Sequence, residues 1–160
     1  MSAPSPLALD RIDRAILRLL QQDCSLTVGD IADRVGLSQT PCWRRIQKME
    51  EAGIISRRVA LLDGAKLGLG LTVFVAIRTD KHEQGWLDRF AAAARDFDEI
   101  QEIHRLTGEI DYLMRIVVPD IAAYDAFYKR LIAAVPLSDV TSSFSMEAIK
   151  STTELPIPKG

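Results

Sequence analysis

The sequence predicts an α+β protein of two domains, with three helices in residues 1–63 and alternating strands and helices in residues 64–160. Three observations predict this class. Apolar residues recur at helical spacing in three short segments before residue 55. Glycines cluster between residues 63 and 70, which interrupts regular structure and marks a boundary. After residue 71, β-branched and aromatic runs alternate with helical patterns in the order βαββαβ.

The first two helices are indicated by their capping residues. Asp10 is a good N-cap for a helix that runs to about Gln22, and Thr27 opens a second, shorter helix. Gly36 ends the second helix, because glycine adopts a left-handed conformation without strain. A short helix, a tight glycine-containing turn and a further short helix predict a helix-turn-helix, with the further helix as the reading helix.

That reading helix is predicted between Ser38 and Gly53. Ser38 is a good N-cap, and its hydroxyl is expected to accept a hydrogen bond from a free amide in the first turn. Pro41 falls in that turn, where its missing N–H costs nothing, and Gly53 is a stop signal. A narrow apolar stripe at spacing i, i+4, i+7 is predicted to be buried, namely Cys42, Ile46 and Met49.

The opposite side of this helix is polar and basic. The side chains that point away from the stripe are Thr40, Arg44, Gln47 and, more obliquely, Lys48. We expect Arg45 and Lys48 to contact the DNA backbone. Cationic, hydrogen-bonding side chains on a short helix suit insertion into the major groove of DNA. An ordinary amphipathic helix with a solvated basic side has the same pattern, so the helix alone leaves both alternatives open.

Residues 54–62 are apolar and β-prone, and they predict a small wing that completes a winged helix-turn-helix domain. Arg57 and Arg58 interrupt this segment, and phosphate contact and simple solvation explain them equally well. Trp43 is expected to be a partly buried prop, with base contact as the less favoured alternative. The candidate DNA-binding residues are Ser38, Gln39, Thr40, Trp43, Arg44, Arg45, Gln47, Lys48, Arg57 and Arg58.

The second domain is predicted to be ferredoxin-like, with one antiparallel sheet and both helices on one of its faces. Strands are expected over residues 71–77, 100–106, 112–118 and 140–149, with a helix between the first two strands. Another helix follows Asp120, and its inner side is expected to be Ile121, Tyr124, Phe127, Tyr128 and Leu131.

The first strand of this domain is apolar on both sides, with Val73 and Val75 on one and Phe74 and Ala76 on the other. A strand of this kind indicates that both faces of the sheet are at least partly buried. Because the helices cover one face only, we expect a second copy of the chain to cover the other. The predicted assembly is a homodimer through the sheet.

Composition excludes several classes. The chain has 160 residues, 48% of them hydrophobic and 26% charged, which is typical of a folded protein. Its net charge of −2 does not indicate a nucleic-acid binder, but a local basic face is sufficient for phosphate contact. Cys24 and Cys42 suggest free thiols in a reducing cytoplasm, and no secretory signal or membrane span is recognised. His82 and His104 have no zinc-ligand spacing, so neither a metal nor another cofactor is expected.

Five stretches together give a more specific indication: Asp10–Asp13, Leu37-Ser38, Pro41–Ile46, Glu51–Ile55 and Thr107–Tyr112. In these stretches the chain resembles the Lrp/AsnC ("feast or famine") family of transcription regulators. The resemblance implies a dimer that assembles further to tetramers or octamers, binds double-stranded promoter DNA and responds to a small amino acid. Other stretches, among them Leu20–Cys24, are similar to cysteine-responsive members, which makes L-cysteine the first candidate effector.

The resemblance also implies where the effector binds. It places the pocket at the Gly-x-x-Asp turn, and the residues carried over are Thr107, Gly108, Glu109, Asp111 and Tyr112. His104, on the strand before the turn, is a further candidate for lining the pocket, although a hydrogen-bonded strand histidine is the favoured alternative. The turn offers carboxylates for an ammonium group and hydroxyl and amide donors for a carboxylate, as an amino acid requires. On the residues alone, a plain hairpin turn with Gly108 at positive φ is the simpler interpretation.

Two other functions compete with that of a regulator. Some proteins that resemble this family decarboxylate a tetrapyrrole, and such an enzyme would use residues like His104 and Arg105. An enzyme has little reason to keep an intact basic reading helix, so we expect the chain not to be an enzyme. A small-molecule sensor without a DNA target is the third alternative.

Overall fold

The computed structural model describes residues 7–79, 84–135, 137 and 139–158, with the backbone alone for residues 84–89. The chain divides into two compact units. The first comprises the chain up to Leu61 together with the segment from Lys150 onward, and the second spans Leu62–Ile149. The segment from Lys150 onward was expected in the second domain, so this division differs from the predicted boundaries of 1–63 and 64–160.

Three helices form the first unit: α1 over Arg11–Gln22, α2 over Val28–Val35 and α3 over Gln39–Glu51. Both α1 and α2 begin with capping boxes, in which the side chains of the N-cap and of the third helical residue each accept a backbone N–H. Gly36 ends α2 with a φ of 71°. The fully buried core of the unit is made by Ile16, Leu20, Ile31, Ala32, Cys42, Ile46 and Met49.

The C-terminal end of α3 matches the prediction, and its N-terminal end differs from it. Gly53 has a φ of 70°, and the N–H of Ile54 donates to the carbonyl of Met49 at 2.9 Å, which makes a Schellman ending. Ser38 is the N-cap residue, but its hydroxyl makes no capping hydrogen bond, so that detail of the prediction is wrong. The helix start therefore depends on extended backbone at Ser38 rather than on a side-chain cap.

The segment predicted to form the wing, residues 54–62, contains no strand. It is irregular chain that begins with a bend, and a single 3-10 turn follows over Ala65–Leu67. Several apolar side chains of this segment are exposed, among them Val59, Leu61 and Leu62. A β-prone pattern cannot become a strand without a neighbour, and no neighbouring strand is described in this unit.

The second unit has the predicted βαββαβ order and ferredoxin-like topology. Its elements are β1 Leu71–Arg78, α4 Gln84–Arg95, β2 Ile100–Arg105, β3 Tyr112–Val118, α5 Ile121–Ala134 and β4 Asp139–Phe144. The four strands lie in the order β2-β3-β1-β4, and every neighbouring pair is antiparallel. The central pair is in register from Leu71 opposite Val118 to Ile77 opposite Tyr112.

The core of this unit lies between the helices and one face of the sheet. Alternate residues of β1, namely Val73, Val75 and Ile77, are fully buried, and Phe90 and Phe127 cover them from the helices. The opposite face, which we call the outer face, carries Phe74, Ala76, Leu113, Arg115 and Val117 together with Glu102 and His104 of β2.

Two predictions about this unit are wrong in detail. Ile121 was expected on the inner side of α5, but it lies at the first position of the helix and 67% of it is exposed. The last strand was expected to reach Ile149, but it ends at Phe144, and Met146 is fully exposed. The apolar residues after Phe144 alternate as in a strand, but no neighbouring strand among the described residues pairs with them.

The C-terminal segment is bound to the outer side of α1. The side-chain amide of Gln21 donates to the carbonyl of Leu155 at 3.0 Å and accepts from the N–H of Leu155 at 3.0 Å. Arg18 donates to the carbonyl of Pro158 at 3.3 Å, and Gln22 donates to the carboxylate of Glu154 at 3.3 Å. Gln21 thus acts as a backbone unit would in a β-ladder, and the segment becomes part of the helix-turn-helix unit.

We predict that Gln21→Ala lowers the thermal stability of the first unit. Losing the paired hydrogen bonds to Leu155 should cost about 1 kcal/mol, or roughly 4–8 °C in Tm for a unit of this size, measured by scanning calorimetry. Gln22→Ala is the matched control, since it has the same helix propensity change but loses one longer bond. An equal fall in Tm for both variants would contradict this role of Gln21.

Candidate nucleic-acid interface and ligand-binding turn

The reading helix α3 is held by a narrow apolar stripe. Cys42, Ile46 and Met49 are each no more than 2% exposed, as predicted from their spacing. Burial raises the pKa of the Cys42 thiol, which Arg45 opposes more weakly. A buried thiol of raised pKa is a poor nucleophile, so Cys42 acts as a small apolar side chain of the core.

The other side of α3 is open to solvent. Ser38, Gln39, Thr40, Arg44 and Lys48 are all exposed. Among the described residues, neither Arg44 nor Lys48 forms an ion pair within the chain. The helix therefore presents two cations and several hydrogen-bonding groups on one surface, which is the chemistry that a DNA groove requires.

Trp43, Gln47 and Arg58 differ in how far they face solvent. Trp43 is 51% exposed, so about half of the residue is covered, which is compatible with the expected partly buried prop. Gln47 is half-buried and donates to Glu50 at 2.9 Å. Arg58 donates to the same carboxylate group at 2.8 Å, which ties the segment after α3 back to the helix.

Arg45 is not oriented like its neighbours. Its Nη1 lies 2.7 Å from a carboxylate oxygen of Asp10 and 2.7 Å from one of Asp13, both at the start of α1. The backbone hydrogen bond from Asp13, followed by the bond from Arg45, lowers the pKa of Asp10 to about 2. The two carboxylates in turn raise the pKa of Arg45, Asp13 more than Asp10.

The predicted ligand-binding turn is a tight connection between β2 and β3. Gly108 has a φ of 132°, a conformation that side chains rarely adopt, as the sequence suggested. Asp111 is bound on three sides. Its carboxylate accepts the N–H of Thr79 at 2.8 Å, its own N–H donates to Ile77 at 2.9 Å, and its carbonyl accepts from Leu106 at 2.8 Å. Asp111 therefore joins the turn to the end of β1.

The remaining candidate residues of this turn differ in their burial and in their neighbours. Thr107 and Glu109 are exposed, and Glu109 lies 3.4 Å from Arg78. Tyr112 is buried on the helix side of the sheet, where its ring packs on Phe90 with centroids 5.1 Å apart. Within one chain, the turn brings together the exposed Thr107, Gly108 and Glu109 but not the ring of Tyr112.

His104 lies on the outer face of the sheet, next to two charged residues. Its Nε2 is 3.2 Å from Glu102, and Arg115 donates to the other oxygen of Glu102 at 2.8 Å. The hydrogen bond to His104, followed by the one from Arg115, lowers the pKa of Glu102. His104 thus belongs to a charged row on the outer face rather than to the turn.

Sequence reasoning missed two residues of the interface, Asp10 and Asp13. The signal was present, because two acids three residues apart at a helix start form a capping box. Their second role with Arg45 depends on the packing of α1 against α3, which no local pattern encodes. In the part of the chain that the structure describes, no three potential ligands converge on a metal position, and no helix is long and apolar enough to cross a membrane.

A three-helix unit with an exposed cationic reading helix, joined to a βαββαβ unit, defines a class of two-domain DNA-binding transcription regulators. Comparison with known proteins supports this assignment to a class. Residues 9–56 match the model of a winged helix-turn-helix DNA-binding domain, and residues 72–155 match the Lrp/AsnC ligand binding domain. The chain belongs to the Lrp/AsnC family of transcription regulators.

Relatives cover nearly the whole chain. The DNA-binding transcriptional activator DecR of Escherichia coli K12 is 53% identical over 150 residues, which cover 93% of this chain and 99% of DecR. The glutamate uptake regulatory protein of Zymomonas mobilis is 47% identical and covers 94% of this chain and 92% of its own. These relatives are regulators, which favours that function over a tetrapyrrole decarboxylase.

Two crystal structures are close in fold. An AsnC family regulator from Agrobacterium tumefaciens has a TM-score of 0.90 at 61% identity, covering 92% of this chain and 97% of its own. A Neisseria meningitidis transcriptional regulator in complex with L-Met has a TM-score of 0.89 at 36% identity, covering 93% and 97%.

We predict that Asp10→Asn destabilises the protein at neutral pH but not in strong acid. The pKa of Asp10 is lowered from 3.8 to about 2 in the folded chain, so its ionised form stabilises the fold. This contribution is complete above the unfolded pKa and disappears as the pH falls through about 2. Urea midpoints of both proteins should differ at pH 6 and converge towards pH 2.

Asp96→Asn, at an exposed acid of the second unit, is the control for the loss of one negative charge. The assignment would be refuted by urea midpoints of native and Asp10→Asn protein that run in parallel at every pH.

Proposed function

We propose that this regulator reads promoter DNA with the outer side of α3 and that an amino acid bound near the Thr107–Tyr112 turn modulates the binding. The observation that carries the DNA part is the exposed pair Arg44 and Lys48 on a helix anchored by a buried stripe. The matched ligand binding domain supports a small-molecule effector, and the L-Met complex of the Neisseria relative supports an amino acid.

In this proposal, the reading surface has a centre and a border. Thr40 and Arg44 enter the major groove, where a bidentate arginine distinguishes guanine from the other bases. Side chains at the border contact the backbone phosphates and sugars. The proposed DNA-binding set is Ser38, Gln39, Thr40, Trp43, Arg44, Gln47, Lys48, Arg57 and Arg58, with Arg45 acting beside it.

We expect Arg44→Ala to abolish the preference for the chain's own upstream DNA over a random duplex. An arginine–guanine contact contributes about 1–3 kcal/mol of discrimination, which its removal should eliminate. Fluorescence anisotropy with the two duplexes at equal length and salt measures this preference.

Arg95→Ala is the charge-matched control, because Arg95 is an exposed arginine of α4 in the other unit. Retention of full discrimination by Arg44→Ala would place the reading face elsewhere on the unit.

The turn supplies what an amino acid ligand requires. Glu109 offers an exposed carboxylate to the ammonium group, and the Thr107 hydroxyl and turn amides are donors for the ligand carboxylate. Asp111 adds negative charge while its bond to Thr79 preserves the shape of the turn. Tyr112 packs on Phe90 behind the turn and His104 lies on the outer face of the sheet, so the proposed contact residues are Thr107, Gly108, Glu109 and Asp111. L-cysteine is the first candidate ligand.

We predict that one of the twenty amino acids raises the thermal stability of the chain. A ligand at 100 times its Kd stabilises the native state by about 2.7 kcal/mol if it does not bind the unfolded chain. Asp111→Asn should reduce this stabilisation, because asparagine still accepts the Thr79 N–H but lacks the charge. Differential scanning fluorimetry with cysteine first, then the other nineteen, measures the effect.

Glu147→Gln, at an exposed acid outside the turn, controls for the change in net charge. Undiminished stabilisation of Asp111→Asn by the same ligand would contradict the pocket assignment.

The proposal includes a homodimer through the outer face of the sheet, assembling further to tetramers or octamers, in the cytoplasm. Phe74 is 39% exposed there, although it lies in the middle of the central strand. Leu113 and Val117 of the neighbouring strand flank it and are half-buried. An apolar surface of this kind is best covered by a partner, and the same surface on a second copy satisfies a two-fold contact.

We expect Phe74→Lys to weaken the dimer. The new cation would lie opposite Arg115 in the strand register and would lose its hydration in a closed interface. Sedimentation equilibrium should give the native chain a mass of at least twice 17.8 kDa and the variant a lower one. Ile132→Lys, at an exposed position of α5, is the control, and a monomeric native chain would refute the dimer.

A further inference from the structure

We infer that Arg45 is a positioning residue of the DNA interface, which occupies the two acids at the start of α1 and so leaves Arg44 and Lys48 available to DNA. This inference rests on the proposed function of α3 as the reading helix. It assigns Arg45 a different role from that of its neighbours, although all three are cations of one helix.

Arg45 completes the hydrogen bonding of the carboxylate oxygens at the start of α1. One oxygen of Asp10 accepts the backbone N–H of Asp13 at 2.8 Å, and one oxygen of Asp13 accepts the N–H of Asp10 at 3.1 Å. The second oxygen of each acid accepts from Arg45 at 2.7 Å. The capping box and the ion pair therefore use all four oxygens, and Arg45 completes an arrangement that already begins α1.

The contacts of Arg45 link α3 to the start of α1. Arg45 is 35 residues from Asp10 and 32 from Asp13, so the contact joins two helices that are distant in sequence. Only 13% of the Asp13 side chain is exposed, and Arg45 is half-buried. An ion pair at the start of α1 restricts how far α3 can shift along α1 or rotate against it. The position of the reading surface relative to α1 depends on this restriction.

Arg45 also balances the charge of the two acids near Arg44 and Lys48. Arg44 and Lys48 line the same surface hollow as Asp10 and Asp13, with a volume of about 380 Å³. Without Arg45, two carboxylates beside those cations would attract their flexible side chains inward and repel DNA phosphates. Arg45 supplies the nearer counter-charge, and the exposed cations keep their freedom to bind phosphate or base.

The experiment compares Arg45→Ala, Asp13→Asn and the double variant with the native chain. The two DNAs are a duplex of the chain's own upstream DNA, called the operator here, and a random duplex of equal length. Binding is titrated by fluorescence anisotropy at four salt concentrations and 25 °C, after circular dichroism has verified folding. Asparagine at position 13 keeps an acceptor for the capping box but removes the charge of the less exposed of the two carboxylates that bind Arg45.

We expect each single variant to lose operator affinity on the order of tenfold, a usual size for coupling between two places in a protein. The double variant should bind the operator no more weakly than Arg45→Ala does, because Arg45→Ala already removes the contact that Asp13→Asn weakens. The operator-to-random ratio should fall in both single variants, which mere destabilisation of a folded chain does not cause.

A phosphate contact by Arg45 would give the opposite result. Arg45→Ala would then weaken operator and random binding by the same factor and leave their ratio unchanged, and Asp13→Asn would bind both DNAs as tightly as the native chain or more tightly. Either result, or additive losses in the double variant, overturns the inference. A native chain that does not distinguish operator from random DNA refutes the proposed function instead.

Discussion

The structure of the first unit depends on how firmly one short helix is held. Only three side chains of α3 are fully buried, and they pack against Ile16 of α1 and Ile31 of α2. A helix of 13 residues is marginal in isolation, so its conformation depends on this packing. Everything that the outer side presents, including the exposed Arg44 and Lys48, is positioned through that narrow stripe and the Arg45 contact beside it.

A comparable constraint operates in the second unit. One face of the sheet is closed by helices, and the other exposes an apolar strand centre next to the charged row of His104, Glu102 and Arg115. The turn between β2 and β3 is joined to the end of β1 by Asp111. A ligand that contacted the Asp111 carboxylate would thus act directly on the central strand β1, because that carboxylate already accepts a hydrogen bond from Thr79, directly after β1.

Local patterns predicted those parts of the fold that depend on local energies. Gly36, Gly53 and Gly108 have positive φ, as their positions at helix ends and in the turn suggested. Helix limits and the strand order follow from periodicity and from the ferredoxin-like connection rule. Features that need a distant neighbour were not predictable. The β-prone residues 54–62 and 145–149 found no strand to pair with, and the acids that bind Arg45 lie more than 30 residues away.

The binding of Leu155 to Gln21 affects how the protein is made. The two residues are 134 positions apart, so at about 5–20 residues per second the ribosome adds Leu155 on the order of ten seconds after Gln21. Throughout that interval the nascent helix-turn-helix lacks its last segment, while the sheet unit is synthesised and begins to fold. The part of the regulator that starts first is therefore completed last, after the whole ligand-binding unit has been translated.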